Sequence, residues 1–302
     1  MNRAEFIFAV IDVLFHPMQN YISRKGVKCE KNLSYDDRYA DCKFDIYYKE
    51  GAKTPMPVVV NIHGGGFVKG DKKHRKSISH LYADRGWFVM NINYRLSPKY
   101  AFPDVIEDCI NALNYLPKLA EKYDLDLTKV VTTGDSAGAY AAAETEAVIT
   151  NPALSAKLGM PECKVKPAGM VCFCGPYDLV AAMGAKLPFG LVRSIGESFL
   201  GMKFNKDYSN VKDYEYINEV SPSAFVNSDW CPTVLTMAKK DVFCKGHGEI
   251  LFDKLKEAGV PVREAHSVKL IDNHCYHFNF WTKASKETMN TVYEFLDELY
   301  AK

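Results

Sequence analysis

Short apolar runs recur along most of this chain, each followed by a segment long enough for a helix. Val58-Val59-Val60-Asn61-Ile62 is the first, and Trp87 to Ile92, Val130 to Thr133, Met170 to Phe173 and Val234 to Met237 continue the series. A strand with one wet face alternates apolar and polar residues. These runs are apolar at successive positions, so both faces must be covered. The intervening segments supply the cover. Phe102-Pro103 opens one with Ile106, Cys109, Ile110, Leu113 and Leu116 on a single stripe. Ile250, Leu251 and Leu255 mark another, stopped by Gly259 and Pro261, and Met289, Val292, Tyr293, Leu296 and Leu299 mark the last. Strand and helix repeated in this way predict an α/β fold with a mostly parallel, doubly wound sheet. Two earlier runs, Asn32 to Tyr35 and Lys43 to Tyr47, read as an antiparallel edge leading into it.

Two segments break the rhythm. Residues 177–229 are rich in aromatics, Gly and Pro but hold no convincing strand, a length that suits a helical cap over the carboxyl ends of the strands. Ala4 to Phe15 is nearly continuous in apolar residues. Glu5, Asp12 and the following His16-Pro17 mark it as an amphipathic helix and not a secretory leader or a membrane span. The division expected is therefore an N-terminal helix at 1–27 joining the cap, and a single domain over 28–302 with the cap inserted at about 177–229.

Composition narrows the partners. Lys plus Arg is 38 against 37 for Asp plus Glu, a net +1 with no basic run, so no nucleic-acid partner is expected. The nine cysteines include no Cys-x-x-Cys pair, which argues against a zinc site and for a reducing, cytoplasmic setting. The final amphipathic helix could cover the sheet or pair with a second copy, which leaves a homodimer open.

Gly134-Asp135-Ser136-Ala137-Gly138 fits Gly-x-Ser-x-Gly, between a strand-like run and the strong helix former Ala139 to Glu144. A strand, tight turn and helix force a serine into an exposed, strained elbow, with the helix amides aimed at any oxyanion formed there. His63-Gly64-Gly65-Gly66-Phe67 follows the first strand. Its unshielded amides could converge on a negative oxygen, and the spacing matches no nucleotide-binding loop. His63 reads as an organiser of that loop.

Together these motifs resemble the α/β-hydrolase superfamily, specifically its hormone-sensitive-lipase-like esterases. Tyr94-Arg95-Leu96-Ser97-Pro98, Phe102-Pro103 and Ser221-Pro222-Ser223 also look like segments of that family, so the resemblance covers roughly residues 55 to 300. It implies a Ser-acid-His triad in that chain order. Ser136 is the expected nucleophile. His277, followed by Phe278 in the last strand-to-helix loop, matches the family's base, with His274 in the same loop as rival. His266 reads as a strand residue and His247 as a solvated helix start. Asp241, after the Val234 to Met237 strand, matches the acid, with Asp178 as the alternative. Asp272 reads as a turn former, and Asp135 should point away from its neighbour Ser136. Amides of Gly64, Gly65, Gly66 and Ala137 would form the oxyanion hole. The implied activity is hydrolysis of small, short-acyl or aromatic carboxylic esters through an acyl-enzyme, with no metal or organic cofactor. An amidase or peptidase, or a non-catalytic ligand binder on the same scaffold, are the other classes in view. Phe6, Phe8, Phe15, Phe189, Leu191, Phe199 and Leu200 are candidates to line the substrate pocket.

Overall fold

The computed structural model describes residues 1–184, 187 and 190–301. Its strands are β1 (Val27–Ser34), β2 (Lys43–Lys49), β3 (Met56–Ile62), β4 (Phe88–Ile92), β5 (Leu125–Asp135), β6 (Gly169–Phe173), β7 (Thr233–Ala238) and β8 (Val262–Ser267). They form one sheet in the order β1-β2-β4-β3-β5-β6-β7-β8. β1 and β2 pair antiparallel and β2 joins β4 antiparallel, whereas every pairing from β4 to β8 is parallel. The mostly parallel sheet with an antiparallel edge is as expected. β5 starts earlier than its apolar run, because Asp126 and Lys129 break up the apolar pattern of its first half.

Helices cover both faces. α3 (Asp104–Tyr123), α4 (Ala137–Thr150) and α8 (His247–Glu257) pack on one, and α2 (Lys76–Asp84) and α9 (Lys283–Ala301) on the other. β3 shows why its run is apolar throughout. All seven of its residues are buried, Val58, Val60 and Ile62 in the first layer and Val59 in the second. Burying a side chain of this size contributes about 1.5–3 kcal/mol. The polar exception, Asn61, donates to Asn91 Oδ1 at 2.9 Å, and Asn91 donates in turn to the Lys72 carbonyl at 2.7 Å.

Between β6 and β7 the described residues form helices and turns: α6 (Leu179–Ala182), α7 (Leu191–Leu200) and short 3-10 turns at Val211–Asp213 and Pro222–Ala224. α1 (Arg3–Asn20) begins with a capping box of Asn2 and Glu5. It is tied down at both ends. Asn2 and the Ala4 amide donate to Ser198 and Ser194 of α7, while Asn20 Oδ1 accepts from the Lys76 amide at the start of α2. α1 therefore bridges α7 and α2. α5 (Pro152–Leu158) completes the helices named here.

Because β5 to β8 run parallel, their carboxyl ends share one rim, where a sheet of this kind presents its loops to a ligand. The segments after β3, β5, β7 and β8 carry His63 to Phe67, Ser136, Asp241 and the histidine pair His274 and His277.

Candidate active site

Ser136 stands between the last residue of β5 and the first of α4 with φ 53° and ψ −119°. That region costs a non-glycine residue of the order of 1–3 kcal/mol, so the surroundings must impose it. They do so through contact. A Cβ on Gly138 would sit 2.1 Å from the Ile62 carbonyl oxygen, and one on Gly134 would sit 2.4 Å from Gly138 carbonyl carbon. Only glycine at these positions lets α4 press against β3 and β5. The Ser136 amide donates to the Phe173 carbonyl at 2.8 Å, fixing the elbow to β6.

Asp135 does point away from the serine, into a buried ion pair. Arg75 Nε and Nη2 donate to its two oxygens at 2.5 and 2.6 Å. Burial works against the Asp135 charge, but Arg75 holds its carboxyl below the ordinary range. Arg75 had no signature in the sequence. An arginine thirteen residues past an apolar run, among Lys72, Lys73 and Lys76, says nothing about which carboxylate it will meet.

Asp241 lies three residues past β7. Its Oδ1 accepts from the Phe243 and Cys244 amides, each at 2.8 Å, and His274 Nδ1 lies 3.0 and 2.9 Å from Oδ1 and Oδ2. The two loops are clasped by Asn273, whose Oδ1 accepts from the Val242 and His274 amides. Burial disfavours charge on the imidazole, yet the Asp241 carboxylate and the neighbouring Cys244 hold His274 well above the ordinary histidine value. Asp241 is lowered: burial opposes its charge, and His274 with the two loop amides outweighs it.

The expectation of His277 as base is corrected by this geometry. His277 is fully buried, stacked on Phe173 at 4.0 Å between ring centroids, and neither ring nitrogen has a hydrogen-bond partner among the described residues. Burial pushes it down to about 3. The carboxylate belongs to the rival, His274. The other assignments sort as follows. Asp178 caps α6 by accepting from the Ala181 amide, and its own amide donates to His247 Nδ1. His247 is buried and not solvated. Asp272 is likewise buried, accepting from the Ser267 hydroxyl. His266 is exposed on β8. His63 organises its loop, stacking on Tyr94 at 4.4 Å with Nδ1 2.8 Å from the Gly64 carbonyl.

Gly64 also departs from the expected oxyanion set, because its amide is already given to Asp135 Oδ1 at 3.2 Å. Gly65 and Gly66 hold φ of 129° and 59°. A Cβ on Gly65 would meet the Lys69 carbonyl at 2.1 Å, so this fold of the loop requires glycine there. Two cavities meet at Ser136. One of about 400 Å³ is lined by Ser136, Gly65, Arg75, Gln19, Asn273 and His274, and His277 is not among its walls. The other, about 80 Å³, is apolar, with Ser136, Ala137 and Gly66 at one end and Phe67, Met183 and Phe199 along its walls. Phe8 of α1 and Phe243 line both, their rings 6.3 Å apart. Among the other pocket candidates, Phe15 lines the larger cavity, Phe6 is exposed, and Leu191 and Leu200 are core residues. Phe189 lies outside the described residues.

An eight-stranded, mostly parallel sheet with a serine elbow after one strand and a His-Asp pair after two later ones has the architecture of an α/β hydrolase. The family model for BD-FAE matches residues 44–254, more than two thirds of the chain, and the chain belongs to that family. The fold is shared with solved esterases. The crystal structure of esterase B from Lactobacillus rhamnosis superposes with a TM-score of 0.84 at 20% identity, covering 98% of this chain and 94% of that one. A bacterial heroin esterase does so with a TM-score of 0.74 at 23% identity, covering 98% and 91%. Among curated proteins, a putative alpha/beta hydrolase of Acanthamoeba polyphaga mimivirus is 34% identical over 94 residues, 31% of this chain and 27% of its own length. An acetyl esterase of Salmonella schwarzengrund is 33% identical over 105 residues, 34% of this chain and 32% of its own. The chain thus spans about a third or less of the length of these curated relatives.

Proposed function

We propose that this protein is a serine carboxylic-ester hydrolase acting on small esters with a short acyl group. The observation that carries the reading is that His274, paired with Asp241, lines the same cavity as the strained Ser136. Ser136 Oγ attacks the acyl carbon while His274 takes its proton, and His274 later gives that proton to the departing alcohol. Asp241 holds the ring orientation and stabilises the imidazolium. The tetrahedral oxygen is received by the amides of Gly65, Gly66 and Ala137, each donor being worth about 3 kcal/mol in such a site. Water then enters from the larger cavity and, with His274 as base, cleaves the acyl-enzyme.

Cavity size supports a division of the substrate. The apolar cavity of about 80 Å³ is roughly half the ~150 Å³ that accommodates benzene in an engineered protein cavity, room for a short acyl chain. The larger cavity, with Gln19, Asn273 and Asn279 in its walls, takes the alcohol. The acetyl esterase among its relatives is consistent with a short acyl group.

The test is turnover of p-nitrophenyl acetate and butyrate against matched anilides. Wild-type protein hydrolyses the esters and Ser136→Ala does not. Unchanged turnover in Ser136→Ala, or turnover of the anilides alone, contradicts the reading.

A further inference from the structure

Cys244 is a third group at the Asp241–His274 pair. Its sulfur, a carboxylate oxygen of Asp241 and a ring nitrogen of His274 all lie within 4.8 Å of one another. Among the described residues no second set of three such donors lies so close. Thiolate, imidazole and carboxylate are the donor types that bind Zn²⁺. Three such protein ligands with a water in the fourth position make an open tetrahedral site. With metal–ligand bonds near 2.0–2.3 Å, donors around the ion stand about 3.5 Å apart, so an approach of about 1 Å closes the set.

The donors are held for this. Asp241 and Cys244 lie on one turn, where the carboxylate accepts from the Cys244 amide and keeps its orientation. Asp241 Oδ2 accepts from neither loop amide and faces His274 Nδ1 at 2.9 Å, so the carboxylate and the ring already converge where an ion would replace the shared proton. Asn273 fastens the histidine loop to the same turn. The neighbouring cavity of about 400 Å³ reaches His274, giving an ion a path from solvent. A soft thiolate in the set favours zinc and its congeners over Mg²⁺ or Ca²⁺, which prefer oxygen donors alone.

We propose that Asp241, Cys244 and His274 form an inhibitory site for one thiophilic divalent cation of the zinc class. On binding, the Cys244 thiol gives its proton to solvent as the sulfur–metal bond forms. The proton that His274 Nδ1 shares with Asp241 leaves to solvent or passes to Nε2 so that Nδ1 can donate its lone pair, and the carboxylate donates a lone pair in place of that hydrogen bond. No group is oxidised or reduced. With the ion on Nδ1 the ring's proton sits on Nε2 and the carboxylate is taken up by the metal, so the nitrogen that would receive the serine proton has no lone pair and ester turnover stops. The metal site stands on geometry alone, whereas its inhibitory effect rests on His274 being the base of the proposed esterase.

Co²⁺ titration of the full chain tests the site without reference to activity. One equivalent gives a near-ultraviolet thiolate-to-cobalt charge-transfer band that Zn²⁺ displaces. Cys244→Ala and Cys244→Ser lose the band, and Cys275→Ala keeps it. In parallel, Zn²⁺ inhibits p-nitrophenyl acetate turnover and Mg²⁺ does not. The zinc concentration for half inhibition rises about tenfold or more in the Cys244 variants, since even outer-sphere partners of a metal are worth about 10–100-fold in affinity. No band, or a band unchanged in both Cys244 variants, overturns the metal site and leaves the esterase reading intact. A band of the expected kind with no zinc inhibition overturns the inhibitory role and counts against His274 as base.

Discussion

His274 and His277 stand three residues apart in one loop and meet opposite surroundings. His274 faces the Asp241 carboxylate, while His277 is sealed between Phe173 and Phe278. Cys275, at φ 54°, turns the chain between them and sends the two rings to different sides. A cysteine in the left-handed region leaves no mark in a sequence, so the loop could be found there but the choice of histidine could not. The elbow was legible, since glycine at 134 and 138, on either side of Ser136, is demanded by a close backbone approach that other residues do not allow. His274→Ala should lower kcat by about 100- to 10,000-fold, the usual worth of a general base, while His277→Phe keeps kcat near wild type. The pH profile adds a check. As the proposed base, His274 would work in its neutral form, and Asp241 raises its affinity for the proton above the ordinary value of 6.5. kcat/KM should therefore fall as pH drops through that raised pKa, on an acid limb lying above pH 6.5. Asp241→Asn removes the raising charge, so the limb should move to lower pH as the rate falls. A limb that stays in place would separate Asp241 from the base.

At the scale of elements, α1 and α4 each carry a testable burden. Phe8 of α1 rests against Gly66 and lines both cavities, so the helix forms a wall shared by the two halves of the proposed substrate site. Phe8→Ala should shift the preference among p-nitrophenyl esters from acetate and butyrate towards longer chains, seen as a change in relative kcat/KM. A profile identical to wild type would remove α1 from the site. The helix was legible from its apolar run, but its place over the glycine loop was not, because that depends on anchors at Ser194 and Ser198 far along the chain. In α4, Glu144 is wholly buried with no hydrogen-bond partner for either oxygen among the described residues, and burial raises its pKa well above 4.5. The folded protein thus keeps a proton that the unfolded chain loses above pH 4.5. Stability falls with rising pH from that point until the folded pKa is reached, by about 1.4 kcal/mol per unit. Glu144→Gln abolishes this slope. Denaturant unfolding at several pH values should show the variant gaining on wild type from pH 5 upward, and parallel curves would contradict it.

At the scale of the whole molecule, strand polarity gathers the site. The run of apolar segments, with helices between, was enough to foretell a parallel sheet whose carboxyl ends share a rim. Strand order was not foretold. β4 lies between β2 and β3, an arrangement set by long-range pairing such as Val59 with Val89 and not by local pattern. β8 was visible only by its alternation, since as the edge strand it keeps exposed positions. The sheet then brings Ser136 and His274, more than a hundred positions apart, to the walls of one cavity, with Asp241 behind the histidine. Mass spectrometry after treatment with a fluorophosphonate probes this convergence most directly, because only an activated serine reacts quickly. The wild-type chain should carry one adduct, on the peptide containing Ser136, and labelling should collapse in His274→Ala while persisting in His277→Phe. An adduct on another residue, or labelling lost in His277→Phe and retained in His274→Ala, would contradict the account.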